Sequence, residues 1–202
     1  TPQTACCSGD RCGESMISGG SATFAPMDYH RLGNTGLQVS ELCFGCMSFG
    51  SSTWRPWVLE PADAEPFYQR AVEAGINFFD TANMYSNGAS EEVTGDLLRK
   101  FGNRDELVIA TKVHFPTGPG PNMGGLSRKH IEQACEASLR RLGVDTIDLY
   151  QIHRLDHHTP PEEMLAALDS LVQKGKVRYL GASSMYAWEF AKLLSLSERN
   201  GW

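Results

Sequence analysis

Asp80, Tyr85, Lys112 and His153 are the side chains whose types and spacing in this sequence suit proton transfer to a reacting carbonyl. Reducing a carbonyl requires a proton at the developing alkoxide while hydride arrives at carbon. A tyrosine hydroxyl, ordinarily titrating near about 10, is a weak donor at neutral pH. A neighbouring ammonium favours the phenolate left behind and so makes the phenol a better acid. Lys112 would supply that charge, and Asp80 would hold Lys112 in place and keep it protonated. His153 would donate a hydrogen bond to the same oxygen and orient it. Taken singly, each residue has a plainer reading, as a helix cap, a solvated rim charge or a rim aromatic. Their joint placement favours function.

That placement follows from the elements around them. From Leu42 onward, short apolar runs alternate with amphipathic stretches. The runs Leu42–Met47, Ile76–Asp80, Leu107–Lys112, Ile147–His153 and Val177–Ser184 lack polar alternation, as expected for strands covered on both faces. The stretches between them carry helix signals. Asp63 is expected to cap the first, with Pro66 in its opening turn, and Ser90 to cap the second. Ser127 opens the third, and Thr159 begins a capping box ahead of the fourth. A fifth helix follows Ser184.

Five strand–helix units in succession predict an α/β fold with a parallel sheet. An open doubly wound sheet and a closed barrel share this period. The unit is roughly 35 residues, and eight such units total roughly 280, near the ~250 of a typical barrel. On the barrel reading, Asp80, Lys112, His153 and Ser183-Ser184 close consecutive strands at the C-terminal face, where barrel enzymes place their chemistry. Trp54 and Trp57, on the first strand–helix loop, either wall that face or cover the rim.

The blocks Asp80-Thr81-Ala82-Asn83-Met84-Tyr85, Ala110-Thr111-Lys112, Leu149-Tyr150-Gln151-Ile152-His153 and Gly181-Ala182-Ser183-Ser184 resemble, in order and spacing, those of the aldo-keto reductase superfamily. Arg31-Leu32-Gly33 through Gly36-Leu37 resembles its N-terminal hairpin, which plugs the barrel bottom. The likeness is nearest to microbial and fungal members of the group that also contains potassium-channel β subunits. It implies a (β/α)8 TIM barrel, truncated here to about five units plus the hairpin. It also implies an NADP(H)-dependent oxidoreductase that reduces aldehydes and ketones. Asp80, Tyr85, Lys112 and His153 match the family's catalytic group. Ser183 and Ser184 match the residues that hold the nicotinamide carboxamide, and Cys46, Met47 and Asp80 match positions lining the ribose and nicotinamide. The family binds its cofactor without a glycine fingerprint, and none follows the first strand. Gly118-Pro119-Gly120-Pro121 reads instead as a loop on the substrate side. The aromatic under the nicotinamide and the basic residues for the 2′-phosphate belong to further units, so residues 27–202 are expected to be a partial barrel.

Two other readings compete: a non-catalytic cofactor-sensing subunit like the channel-associated relatives, and an inactive fragment. His153 favours the enzyme, since those relatives carry another residue there. Residues 1–26, rich in Ser, Gly and Cys and without period, are expected to form a disordered extension. Cys6, Cys7 and Cys12 lack a fourth ligand for a closed zinc site, and no metal is expected. Cys43 and Cys46 would point to opposite faces of one strand, so buried free thiols in a reducing, cytoplasmic setting are expected. The net charge of −6 argues against a nucleic-acid groove or a polybasic membrane patch. The expected partner is a small carbonyl compound, and the oligomeric state is left open.

Overall fold

The computed structural model describes residues 26–202. The expected N-terminal extension, with Cys6, Cys7 and Cys12, lies almost wholly outside them. A hairpin comes first: β1 (Tyr29–Arg31) pairs antiparallel with β2 (Gln38–Ser40). Five parallel strands follow, adjacent in chain order: β3 (Cys43–Gly45), β4 (Phe78–Asp80), β5 (Val108–Val113), β6 (Ile147–Ile152) and β7 (Val177–Ala182). Helices α1 (Pro61–Glu73), α2 (Ala89–Phe101), α3 (Arg128–Leu142) and α4 (Pro161–Gln173) connect them, and α5 (Ala187–Asn200) follows β7. The order is that of a partial α/β barrel.

The two faces of the sheet divide by residue parity. On β5, Thr111 faces the helices, where its hydroxyl donates to Glu91 of α2 at 2.5 Å, while Lys112 faces the other way. The helix-side core gathers Tyr68, Phe79, Ile109, Tyr150 and Leu168, all essentially inaccessible. Glu91, wholly buried, is also bound by Arg141 of α3 at 2.6 Å, so its charge is compensated where burial alone would be costly. β5 is buried at every position, whereas β3 and β7, the outer strands, leave several of theirs open.

Three expected helix starts move, two of them because another hydrogen bond wins. Pro61 is the first residue of α1, so Asp63 lies in the first turn rather than at the cap, and Pro66 falls inside the helix. Ser90 also lies inside its helix, behind the left-handed Gly88. Its hydroxyl donates to the Cys46 carbonyl at 2.8 Å and meets Thr81 Oγ1 at 2.9 Å. Thr159 forms no capping box: its hydroxyl donates to Asp156 at 2.7 Å, and Pro160 occupies the cap. Ser127 does cap α3, accepting from the His130 amide. Four of the five sheet strands are shorter than the expected runs, and β5 keeps its length but begins one residue later. The Asn77 side chain, accepting from Ser40 N and donating to the Gln38 carbonyl, ties the start of the second run to the hairpin, while its backbone carbonyl accepts from Val108 N of β5 at 2.7 Å.

α2 and α3 cross at Gly95, where a Cβ would lie 2.2 Å from the Leu142 carbonyl oxygen. Gly95→Ala must therefore part the two helices, and overpacking of this kind costs about 1–3 kcal/mol. A urea titration should show the midpoint lowered. A raised midpoint would mean that the gain of about 1 kcal/mol in helix propensity prevails over the clash.

Candidate active site

The chain beyond β4 stays stitched to β5 after regular pairing ends. Thr81 N donates to the Ala110 carbonyl at 2.9 Å and Asn83 N to the Lys112 carbonyl at 3.2 Å. A tight turn then opens at Tyr85, with left-handed Ser86 and Asn87 behind it. This path carries the Tyr85 ring over Lys112, whose Nζ lies 5.0 Å from the ring centroid.

Lys112, only 5% exposed, has one acceptor for each proton of its ammonium. Nζ is hydrogen-bonded to Asp80 Oδ2, donates to the Thr81 carbonyl at 2.9 Å, and reaches Tyr85 Oη at 3.5 Å. The other oxygen of Asp80 accepts from Gln151 Nε2 at 2.9 Å. A charged amine away from water is thus held by a carboxylate and a carbonyl, and its remaining donor points at a phenol.

His153 follows β6 directly and extends the ladder, its amide donating to the Val113 carbonyl at 2.9 Å. The imidazole stands edge-on to Tyr85 (centroids 5.6 Å apart) and to Phe115 (4.9 Å). Burial first, then the charges of Lys112 and Arg154, push its pKa down to about 4. The ring is therefore neutral at physiological pH, able to donate from one nitrogen. Its Nδ1 is buried without a partner.

Asp80, Tyr85, Lys112 and His153 thus meet at one end of the sheet. Ser183 and Ser184 stand at the same end of β7, two strands from β5. Their hydroxyls are 3.0 Å apart, and the left-handed Ser184 is held by Arg154 Nη1 donating to its carbonyl at 3.1 Å. Met47, just past β3, is exposed at the rim. The Cys46 side chain is wholly buried beside Tyr68 and Thr94, the thiol pushed up to about 12. Its amide donates to the Asp80 carbonyl and its carbonyl accepts from Ser90, so it supports the strand end and offers no side-chain surface to a ligand. Trp54 packs near Tyr85 (6.4 Å) with Trp57 behind it (6.0 Å).

Two residues that the sequence reading gave no role complete the site. Gln151 shares the face of His153 on β6, a spacing of two that was available in advance. Phe115, three residues past Lys112, is the part of the following loop that touches the site. Gly118–Pro121 lies farther along that loop, folded back by the Thr117 amide on the Met123 carbonyl.

Residues 41–201 match the Aldo/keto reductase family. The chain belongs to it. Among similar aldo/keto reductases is versiconal hemiacetal acetate reductase of Aspergillus parasiticus, 46% identical over 194 residues, covering 87% of this chain and 56% of that protein. Aldo-keto reductase AMT2 of Alternaria alternata is 46% identical over 198 residues, covering 86% and 54%. A potassium-channel β-subunit-like protein of Arabidopsis thaliana is 40% identical over 175 residues, covering 86% and 51%. The chain thus spans about half the length of the curated relatives it matches. Among the described residues, no helix is long and apolar enough to cross a membrane.

The depressed pKa of His153 links this site to stability. Between about 6.5 and 4 the unfolded chain binds a proton at His153 that the folded chain refuses. The stabilisation is therefore present above 6.5 and lost as pH falls toward 4. Burial pushes His114 and His130 the same way, so part of the acid sensitivity is theirs. His153→Asn should lose less stability than the wild type between these limits in urea titrations at stepped pH. Identical pH slopes would contradict the assignment.

Proposed function

We propose that this aldo/keto reductase is an NADP(H)-dependent enzyme that reduces small aldehydes and ketones to alcohols, with Tyr85 as the proton donor. The observation that carries the reading is the ammonium of Lys112, fixed by Asp80 and Thr81 with its remaining donor toward Tyr85 Oη. A carbonyl oxygen near Tyr85 Oη would accept the phenolic proton as negative charge develops on it. The phenolate left behind faces the fixed ammonium, which lowers the barrier to proton release. His153, neutral and edge-on to Tyr85, donates a hydrogen bond to the same oxygen and aims the carbonyl. The rings of Trp54 and Phe115 flank the two and suit a flat, apolar substrate.

When bound, a dihydronicotinamide supplies the hydride. The residues at hand fit its carboxamide: the Ser183 and Ser184 hydroxyls bond one another and can turn to give or accept with an amide. Exposed Met47 suits the ring's apolar surroundings. The preference for NADP(H) over NAD(H) rests on family resemblance. A cytoplasmic location is supported by the free thiols of Cys43, Cys46 and Cys135.

In the complete gene product, Tyr85→Phe should slow single-turnover reduction of 4-nitrobenzaldehyde by about 100-fold or more, the usual scale of general-acid loss. NADPH binding, followed by fluorescence, should be unchanged. Undiminished turnover would remove Tyr85 from the role.

A further inference from the structure

We propose that Gln151 is a positioning residue for Tyr85, acting through Asp80, and this rests on the reading just given. The three strands concerned are neighbours. Lys112 on β5 is in register with Gln151 on β6, and Gln151 with Gly181 on β7. From that place the Gln151 side chain crosses beyond β5 to Asp80 at the end of β4, giving Nε2 to Oδ1 at 2.9 Å.

A carboxylate held at one oxygen can swing about its χ2, a broad torsion. Asp80 is held at both, by Lys112 and by Gln151. With the carboxylate fixed, the Lys112 ammonium has one orientation that also satisfies Thr81, and in it the last donor faces Tyr85 Oη at 3.5 Å. Removal of the Gln151 donor frees Asp80 to follow Lys112 away from Tyr85. It also concentrates the negative charge of Asp80 near the phenol. Both changes disfavour the phenolate.

The fold makes room for this side chain. A Cβ on Gly181 would lie 3.1 Å from Gln151 Cγ and 3.2 Å from Leu149 Cδ1. A glycine at this register leaves Gln151 its path to Asp80. The ionisable groups around the contact are Lys112 from β5, Tyr85 from the turn after β4, Cys43 from β3 and His153 just past β6; β7 presents Gly181 at this level. Cys43, pushed up to about 11, and His153, pushed down to about 4, are uncharged between those limits.

The variants are Gln151→Met, which keeps length and loses the donor, and Gln151→Glu. In the complete gene product, Gln151→Met should lower the single-turnover rate about tenfold, the scale of one lost hydrogen bond to a charged group. KM and NADPH affinity should be unchanged, as for an interaction that matters in the transition state alone. Gln151→Glu should recover activity as pH falls, because a protonated carboxyl can still donate to Asp80. It should lose activity as pH rises and two carboxylates face each other. A Gln151→Met enzyme with wild-type rate, or a Gln151→Glu enzyme with the wild-type pH profile, overturns the proposal. A second readout does not require turnover. In protein labelled at the tyrosine ζ-carbon, with Tyr85 assigned from Tyr85→Phe, the NMR titration of Tyr85 should move to higher pH in Gln151→Met. Should the wild type reduce no carbonyl, the functional reading fails while this titration still decides on Gln151, and an unmoved midpoint rejects it.

Discussion

A lysine ammonium buried at the end of a parallel sheet is the constraint on which the site is built. Lys112 is almost wholly out of water, and an uncompensated charge there would be lost to deprotonation or local unfolding. Its compensation comes from a neighbouring strand end and the loop beyond it: Asp80 closes β4, and Thr81 offers a carbonyl one residue later. Breaking such a pair by removing one partner typically costs about 3–5 kcal/mol. The alignment of β4 with β5, Asp80 opposite Ala110, is thus an electrostatic requirement as well as a packing one. The same strand is held from the other side by Thr111 on Glu91, itself paired with Arg141. Adjacent residues of β5 anchor opposite layers of the fold.

Proton chemistry is a by-product of that arrangement. Two of the ammonium's donors stabilise the fold and the third is left for Tyr85. The tyrosine comes within reach because the loop after Asp80 continues to bond with β5 before it turns. His153 is neutral for a related reason: burial and the nearby lysine both oppose its charge. The same ammonium therefore supports one acid and, together with burial, keeps its neighbour uncharged.

Much of this was legible in the sequence. Five apolar runs, four of them ending in Asp80, Lys112, His153 and the serine pair, could be read as strands because buried parallel strands lack polar alternation. Their polar ends stood out by contrast. Helix starts were less legible, since Ser90 and Thr159 are good caps in isolation but find stronger partners at Cys46, Thr81 and Asp156. Those partners are remote in sequence or hidden in a loop. Cys46 matches a cofactor position by resemblance alone, whereas parity from Cys43, near Asp80 and Lys112, already puts it on the opposite, helix-covered face with Tyr68. Gln151 passed unremarked for a different reason. An uncharged amide in an apolar strand shows its use only when the carboxylate across the sheet is in view.

The interdependence of Asp80, Lys112 and Tyr85 is tested most directly by a double-mutant cycle on the rate of hydride transfer. In the complete gene product, Asp80→Asn, Lys112→Met and the double variant would be compared in single-turnover reduction of one aldehyde at saturating NADPH. Groups that act as one unit lose their effect together. The double variant should be no slower than the slower of the two singles. Losses that multiply would show that Asp80 and Lys112 act independently, and would contradict the shared ammonium as the origin of the chemistry.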